Sequence, residues 1–400
     1  MKYELSDRIN NMSESATLAM AAKARELKAE GKDIISLSLG EPDFKTPQHI
    51  QDAAKRAIDS GKYFGYPPVT GYQDLRIAIA NKLTNENGIP SSPEQIVVSN
   101  GAKQSIANVM LALLNPGDEV VVFAPYWVSY AELIKLAEGT PVMITGTIDN
   151  DFKPTAAQLK AAITDKTKAI LYSSPCNPTG GVFTRKELEE IAEVVKAYDN
   201  ITVISDEIYE HINFTNEGHC SIASLPGMAE RTITVNGFSK GFAMTGWRVG
   251  YISAPTPIAK AAAKVQGQIT SGNCSIAQRA ALAAITEDLQ PTKDMTTIYH
   301  QRRDMVIDLL NDMEGVKTYV PKGAFYIFPD ISYFFGKSDG ERTIHDSNDL
   351  AIYILDEAQV STVTGDAFGA PNCIRVSYAA SNAELKEAMK RLKTVLNKLK

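Results

Sequence analysis

Between residues 96 and 253, seven short apolar runs rich in β-branched residues alternate with longer segments of helical periodicity. The runs lie at 96–99, 119–123, 141–144, 169–173, 202–205, 232–235 and 251–253, and helices are expected at 102–114, 185–198 and 257–269. Parallel neighbours in a sheet need long crossovers, and helices in those crossovers cover both faces. The chain is therefore expected to be α/β, with a mostly parallel mixed sheet buried between helices. After Pro291 the pattern changes to a long helix near 300–313, β-like runs at 323–328 and 372–379, and a Lys-rich final helix. At 400 residues the chain exceeds one compact core. It is expected to form a large unit over 46–290 and a smaller α+β unit over 291–400, with 1–45 packed on the latter. No repeat or flexible linker separates them, so a site between them is expected.

Composition narrows the function. Apolar residues make up 44% and charged residues 22%, as in ordinary globular proteins, and 41 basic against 47 acidic side chains give a net charge of −6. That balance argues against a broad surface for nucleic acid or anionic lipid, so any important cation acts locally. Cys176, Cys220, Cys274 and Cys373 form no C-x-x-C pair, which suggests neither a zinc knuckle nor a disulfide framework. No apolar run approaches a membrane span, and residues 1–11 lack the apolar core of a signal peptide. A cytoplasmic protein is expected, with no metal, membrane or nucleic-acid partner.

Several familiar motifs are missing. No two of the 26 glycines are separated by a single residue, which removes G-x-G-x-x-G, and neither a P-loop nor H-E-x-x-H occurs. The pattern G-x-S-x-G occurs at 237–241 and 336–340. The first copy follows a strand, as a hydrolase nucleophile elbow requires, and makes Ser239 a rival nucleophile.

A second reading of that stretch uses more residues. Lys240 lies just beyond a strand, Arg248 eight residues on, and Phe238, Phe242, Met244 and Trp247 surround them. Most lysines are surface charges, but a lysine among apolar groups has a lowered pKa and can attack an aldehyde. Asp206 ends another strand, either as a helix N-cap or as a ligand group at the sheet's carboxyl edge. Asn177 sits in a proline-rich loop after a third strand, and 101–103 joins a fourth to a helix whose first N–H groups can take an anion. Each has a bland reading as a turn, yet four strands deliver polar groups to one sheet edge. Alternation in 372–378 puts Arg375 opposite Ile374 and Val376, either on an exposed face or as a bidentate clamp for a carboxylate.

In order along the chain, GEPDF (40–44), YPPVTG (66–71), GAK (101–103), PYWVSY (125–130), NPTG (177–180), DEIY (206–209), SK (239–240), GWR (246–248) and Arg375 closely resemble fold-type I pyridoxal-phosphate aminotransferases, in particular the bacterial aspartate aminotransferase subgroup of class I. The resemblance runs from about Ser15 to the C-terminus. It implies pyridoxal 5'-phosphate held by Lys240, which also moves the substrate's proton. It implies that Asp206 pairs with the pyridinium nitrogen and that Tyr209 and Asn177 hydrogen-bond the ring's phenolic oxygen. Trp127 stacks on the ring, and Gly101, Ala102, Ser239 and Arg248 hold the phosphate, joined by Tyr66 from a neighbouring subunit of a homodimer. Arg375, helped by Gly40, takes the α-carboxylate, and Lys103 the distal carboxylate of aspartate or glutamate; Lys103 is also counted with the cofactor-binding residues, and Trp127 and Asn177 with the substrate-binding ones. Cys176, where many relatives carry asparagine or another small residue, reads as tolerated variation.

The activity so implied is transfer of the amino group of aspartate to 2-oxoglutarate. The rivals are the same fold acting on prephenate, on aromatic or neutral amino acids, or as a lyase; a serine hydrolase using Ser239; and a non-enzymatic pyridoxal-phosphate sensor, for whose DNA-binding module the chain offers no spare segment.

Overall fold

A computed structural model describes residues 3–400. All seven expected strands are present in one sheet: β1 (Ile96–Ser99), β2 (Glu119–Ala124), β3 (Thr140–Thr145), β4 (Thr167–Ser173), β5 (Thr202–Asp206), β6 (Thr232–Gly237) and β7 (Gly250–Ser253). Their spatial order is β1-β7-β6-β5-β4-β2-β3, and only β7 runs antiparallel to its neighbours. The central strands read as near-continuous apolar runs because both faces are covered; in β4 every residue but Lys168 is buried.

The covering helices follow from local chemistry. In α1 (Arg185–Lys196), Thr184 and Glu187 form a capping box that satisfies the first free N–H groups. Leu188, Ile191, Ala192 and Val195 fall at the spacing of one helix face, and that face is buried against the sheet-side core.

Outside the large sheet, Val363–Thr364, Ile374–Ser377 and Tyr326–Ile327 form a three-stranded antiparallel sheet. Ile35–Ser36 pairs in parallel with Val360–Ser361, so the N-terminal segment joins the C-terminal part of the chain. The final helix, α3 (Asn382–Leu396), buries Leu385, Ala388, Met389, Leu392, Val395 and Leu396 and leaves most of its lysines on the outer face. The helix expected at 300–313 is instead α2 (Gln290–Asn311), ten residues longer at its start. Pro291 does not delay it, because the first turn of a helix has no acceptors for its N–H groups and tolerates proline. In the run at 323–328 only Tyr326–Ile327 joins the small sheet; Gly323 makes an isolated bridge to Asn213, and the chain turns between them through Ala324 at a φ of 57°. Among the described residues no helix is long and apolar enough to cross a membrane.

Candidate active site

A cavity of about 320 Å³ opens where the carboxyl ends of β1, β2, β4, β5 and β6 meet the small sheet and the segment around Gly40. This is the edge at which open α/β sheets bind ligands.

Asp206 is the last residue of β5 and is 3% exposed. Its Oδ2 accepts from the Tyr130 hydroxyl at 2.6 Å and its Oδ1 from the Ile208 N–H at 3.2 Å. The second bond closes a turn rather than starting a helix, so the N-cap reading does not hold. Burial pushes the carboxyl up to about 6, against the pull of those two hydrogen bonds. Its hydrogen-bond partners are neutral, and a cation beside it would relieve the desolvation.

Lys240 follows the end of β6 by three residues, and its Nζ donates to the Gly40 carbonyl at 2.6 Å. Burial brings this amine down to about 8, with the Arg375 charge acting in the same direction. A lysine so placed is a usable nucleophile and proton carrier near neutral pH.

Arg375 is 1% exposed on a strand buried on both faces, which excludes the exposed-face reading. Its guanidinium donates to Asn177 Oδ1 at 2.9 Å and to the Ser38 carbonyl at 2.5 Å, while Nε has no partner. The rings of Tyr326 and Phe368 flank it at 4.6 and 4.9 Å. Burial lowers its pKa. A buried cation held only by neutral acceptors and aromatic faces is set to receive an anion.

On the opposite side, Gly101 has a φ of +84°, and a Cβ there would collide with the Arg248 guanidinium. Glycine thus lets Arg248 lie against the first turn of the helix Ala102–Leu113, where cation and helix N-terminus both favour an anion. Arg248 donates to the Thr245 carbonyl at 2.9 Å and has a φ of 56° itself. Ser239 and Ala102 line the same part of the cavity. Lys103 lies with its Nζ 4.9 Å from the Trp127 ring. Partial desolvation and the Arg248 charge lower its pKa.

Of the residues singled out in the sequence, Asn177, Tyr209 and Gly40 also line the cavity, Gly101 lies directly behind it, and Tyr66 does not reach it, being 97% exposed on its own chain. Sequence reasoning gave no role to Tyr130, although it ends the PYWVSY motif, or to Tyr326. Tyr130 lies three residues after Trp127 at the start of a helix, a spacing that could have placed the two on one face. Tyr326 stands in a short apolar run that carried no signal. Ser15 and Thr17 also line the cavity, and the Thr17 hydroxyl has no hydrogen-bond partner. Ser239 is at the cavity, but among the described residues no histidine lines it and turns rather than a helix follow, so the triad a serine hydrolase needs is not assembled there. The second G-x-S-x-G copy lies elsewhere, and its Ser338 forms a bridge with Thr343.

Lysine, aspartate and arginine converging on a sheet edge beside an anion cradle define an aminotransferase-type site, and residues 32–392 match the aminotransferase class I and II family, to which the chain belongs. More particularly, it is 47% identical over 400 residues to a bifunctional aspartate aminotransferase and glutamate/aspartate-prephenate aminotransferase of Petunia hybrida, covering 99% of this chain and 83% of that protein. It is 44% identical to an aspartate/prephenate aminotransferase of Cereibacter sphaeroides, with 97% of each covered. The crystal structure of an aspartate aminotransferase from Rhizobium meliloti superposes with a TM-score of 0.96 at 39% identity, covering all of both chains. That of the Thermus thermophilus aspartate aminotransferase with maleate superposes with 0.91 at 40% identity, covering 98% of this chain and 100% of the other.

Proposed function

We propose that the protein is a pyridoxal-phosphate-dependent aspartate aminotransferase, transferring the amino group of aspartate to 2-oxoglutarate to give oxaloacetate and glutamate in two half-reactions. The observation that carries this reading is the opposition, in one cavity, of a buried carboxylate with neutral partners and a buried guanidinium with neutral partners, with the Lys240 amine beside them. The site fits the cofactor on its own chemistry. Asp206 supplies the negative charge that a protonated ring nitrogen would neutralise, and the glycine cradle at Gly101 with Arg248 and Ser239 suits a phosphate.

When bound, pyridoxal phosphate supplies an aldehyde and a ring that accepts electron density from the substrate's Cα. Lys240 would hold it covalently and, once displaced by substrate, carry the Cα proton; its lowered pKa suits both tasks. Tyr130 keeps Asp206 oriented. Tyr209 and Asn177 would hydrogen-bond the cofactor's phenolic oxygen, and Trp127 would cover the ring. Arg375 would take the α-carboxylate, and Lys103 the distal one. We further read residues 46–290 as the cofactor-holding unit and 1–45 with 291–400 as the smaller one, residues 1–2 lying outside the described part. A homodimer in which the partner's Tyr66 completes the phosphate site accounts for the exposure of that side chain. A cytoplasmic setting suits such an enzyme.

A second reading of the substrate, prephenate in addition to aspartate, is favoured by the apolar wall that Leu18, Leu39 and Val128 add to the cavity, more than a four-carbon acid needs. The deciding experiment is the absorption spectrum of the purified protein with aspartate, then with 2-oxoglutarate. Loss of the cofactor band with the first and its return with the second is expected; no band even after adding pyridoxal phosphate would overturn the assignment.

A further inference from the structure

Tyr326 is fully buried, belongs to the small sheet, and touches three parts of the site at once. Its strand pairs antiparallel with Ile374–Ser377 in the register Tyr326 opposite Ser377. Arg375 lies two residues from Ser377 and so projects on the same face, diagonal to Tyr326. The contacts agree with that register: the guanidinium stands 4.6 Å from the Tyr326 ring centroid. The Tyr326 hydroxyl lies 2.6 Å from that of Tyr209. It also fills the space where Gly40 would carry a Cβ, which explains why only glycine fits there.

We propose that Tyr326 is a positioning residue that points the Tyr209 phenol at the cofactor's phenolic oxygen and ties it to the carboxylate-binding Arg375. This rests on the pyridoxal-phosphate reading above. A phenol has one proton to donate and lone pairs to accept with. Two facing hydroxyls share one hydrogen bond, and either can donate it. Burial raises the pKa of both phenols, and the Arg375 charge works against that rise in each. If Tyr209 gives its proton to an anionic oxygen in the cavity, the bond between the two hydroxyls must run from Tyr326 to Tyr209, because Tyr209 has only one proton to give. Hydrogen bonds chained in this way strengthen one another. The charged groups facing the pair are Arg375, Asp206 and Lys240.

The test is the pH titration of the cofactor absorption band in the intact holoenzyme, read without turnover. Donation by Tyr209 favours the deprotonated chromophore, so Tyr326→Phe should raise the titration midpoint by about half a pH unit, about threefold in the equilibrium constant. Tyr209→Phe should raise it further, and adding Tyr326→Phe to that background should change nothing more. Tyr326→Leu, which also lacks the hydroxyl, should show the same upward shift. In addition, removing the ring should weaken binding of the unreactive dicarboxylate succinate about tenfold in Tyr326→Leu, while Tyr326→Phe stays within about twofold. An unchanged midpoint in both variants, or a full shift on the Tyr209→Phe background, would overturn the orienting role. Equal succinate affinities in Phe and Leu variants would overturn the link to Arg375. A wild-type protein with no chromophore would overturn the pyridoxal-phosphate reading instead, so the two failures are distinguishable.

Discussion

Asp206 and Glu207 are adjacent at the end of β5, both buried and both carboxylates, yet they belong to two regions with opposite designs. Asp206 faces the cavity, where neutral donors hold it and no cation pairs with it among the described residues. Glu207 faces the other way, into a closed cluster in which Ser205, Ser221 and His219 all bond it, at 2.9, 2.5 and 2.8 Å. Tyr209 and Glu210 repeat the contrast one turn on: Tyr209 lines the cavity, whereas Glu210 is paired with Lys82 and accepts from Asn87 at 2.7 Å. Ligand atoms of Glu207, Glu210 and His219 lie within 4.8 Å of one another, as in a metal site, but the Lys82 ammonium already brings positive charge to Glu210. Both clusters are buried and charged, but one has satisfied its charges internally and the other has charges left over.

Lys240→Ala should cut turnover by about four orders of magnitude while the cofactor is still bound without a covalent link, measured by steady-state rates and retained absorbance. A loss below about tenfold would move Lys240 out of the chemistry. In the closed cluster, Lys82→Met should leave the holoenzyme spectrum unchanged but lower stability by about 3–5 kcal/mol in urea titration, because it strands a buried carboxylate. The two cases should exchange nothing: one loses rate, the other loses fold.

Arg375→Ala should raise KM for aspartate about 10- to 100-fold, the worth of charge-assisted hydrogen bonds to a carboxylate. Unchanged kinetics would mean that this buried cation is structural like Lys82. Lys103→Ala should reduce activity on aspartate about fivefold and leave alanine nearly unaffected, a smaller loss because Lys103 is exposed.

The clusters should also part company in acid. Burial works against the Glu210 charge, but Lys82, with His211 and His219, outweighs it and holds the carboxyl well below the usual range. A depressed folded value means stabilisation that is present above the ordinary glutamate range and is lost as pH falls through the folded value. Asp206 is shifted upward and has the reverse sign: its ionised form costs stability above its ordinary range. Urea midpoints measured below pH 5 should therefore fall with acidity in the wild type, and more shallowly in Lys82→Met.

Much of this was legible in the sequence. All seven strands were, because a sheet buried on both faces must be built from short continuous apolar runs, and no other element of that length carries them. Asp206, Lys240, Asn177 and the 101–103 turn could be placed at one edge because parallel strands end on the same side. The ordered motifs then named the family and the activity it implies. What sequence could not decide was which polar residues face which way. Glu207 and Glu210 sit in the same motif as Asp206 and Tyr209, and only the packed structure sends them to Lys82 and His219. Tyr130 ends the PYWVSY motif and Tyr326 lies in a β-like run, but nothing local shows that distant elements bring their hydroxyls to Asp206 and Tyr209, 76 and 117 residues away. Periodicity reports which face of an element is apolar, a local property; the partner a buried polar atom finds is set by contacts between segments far apart in the chain, and only the tertiary structure fixes those.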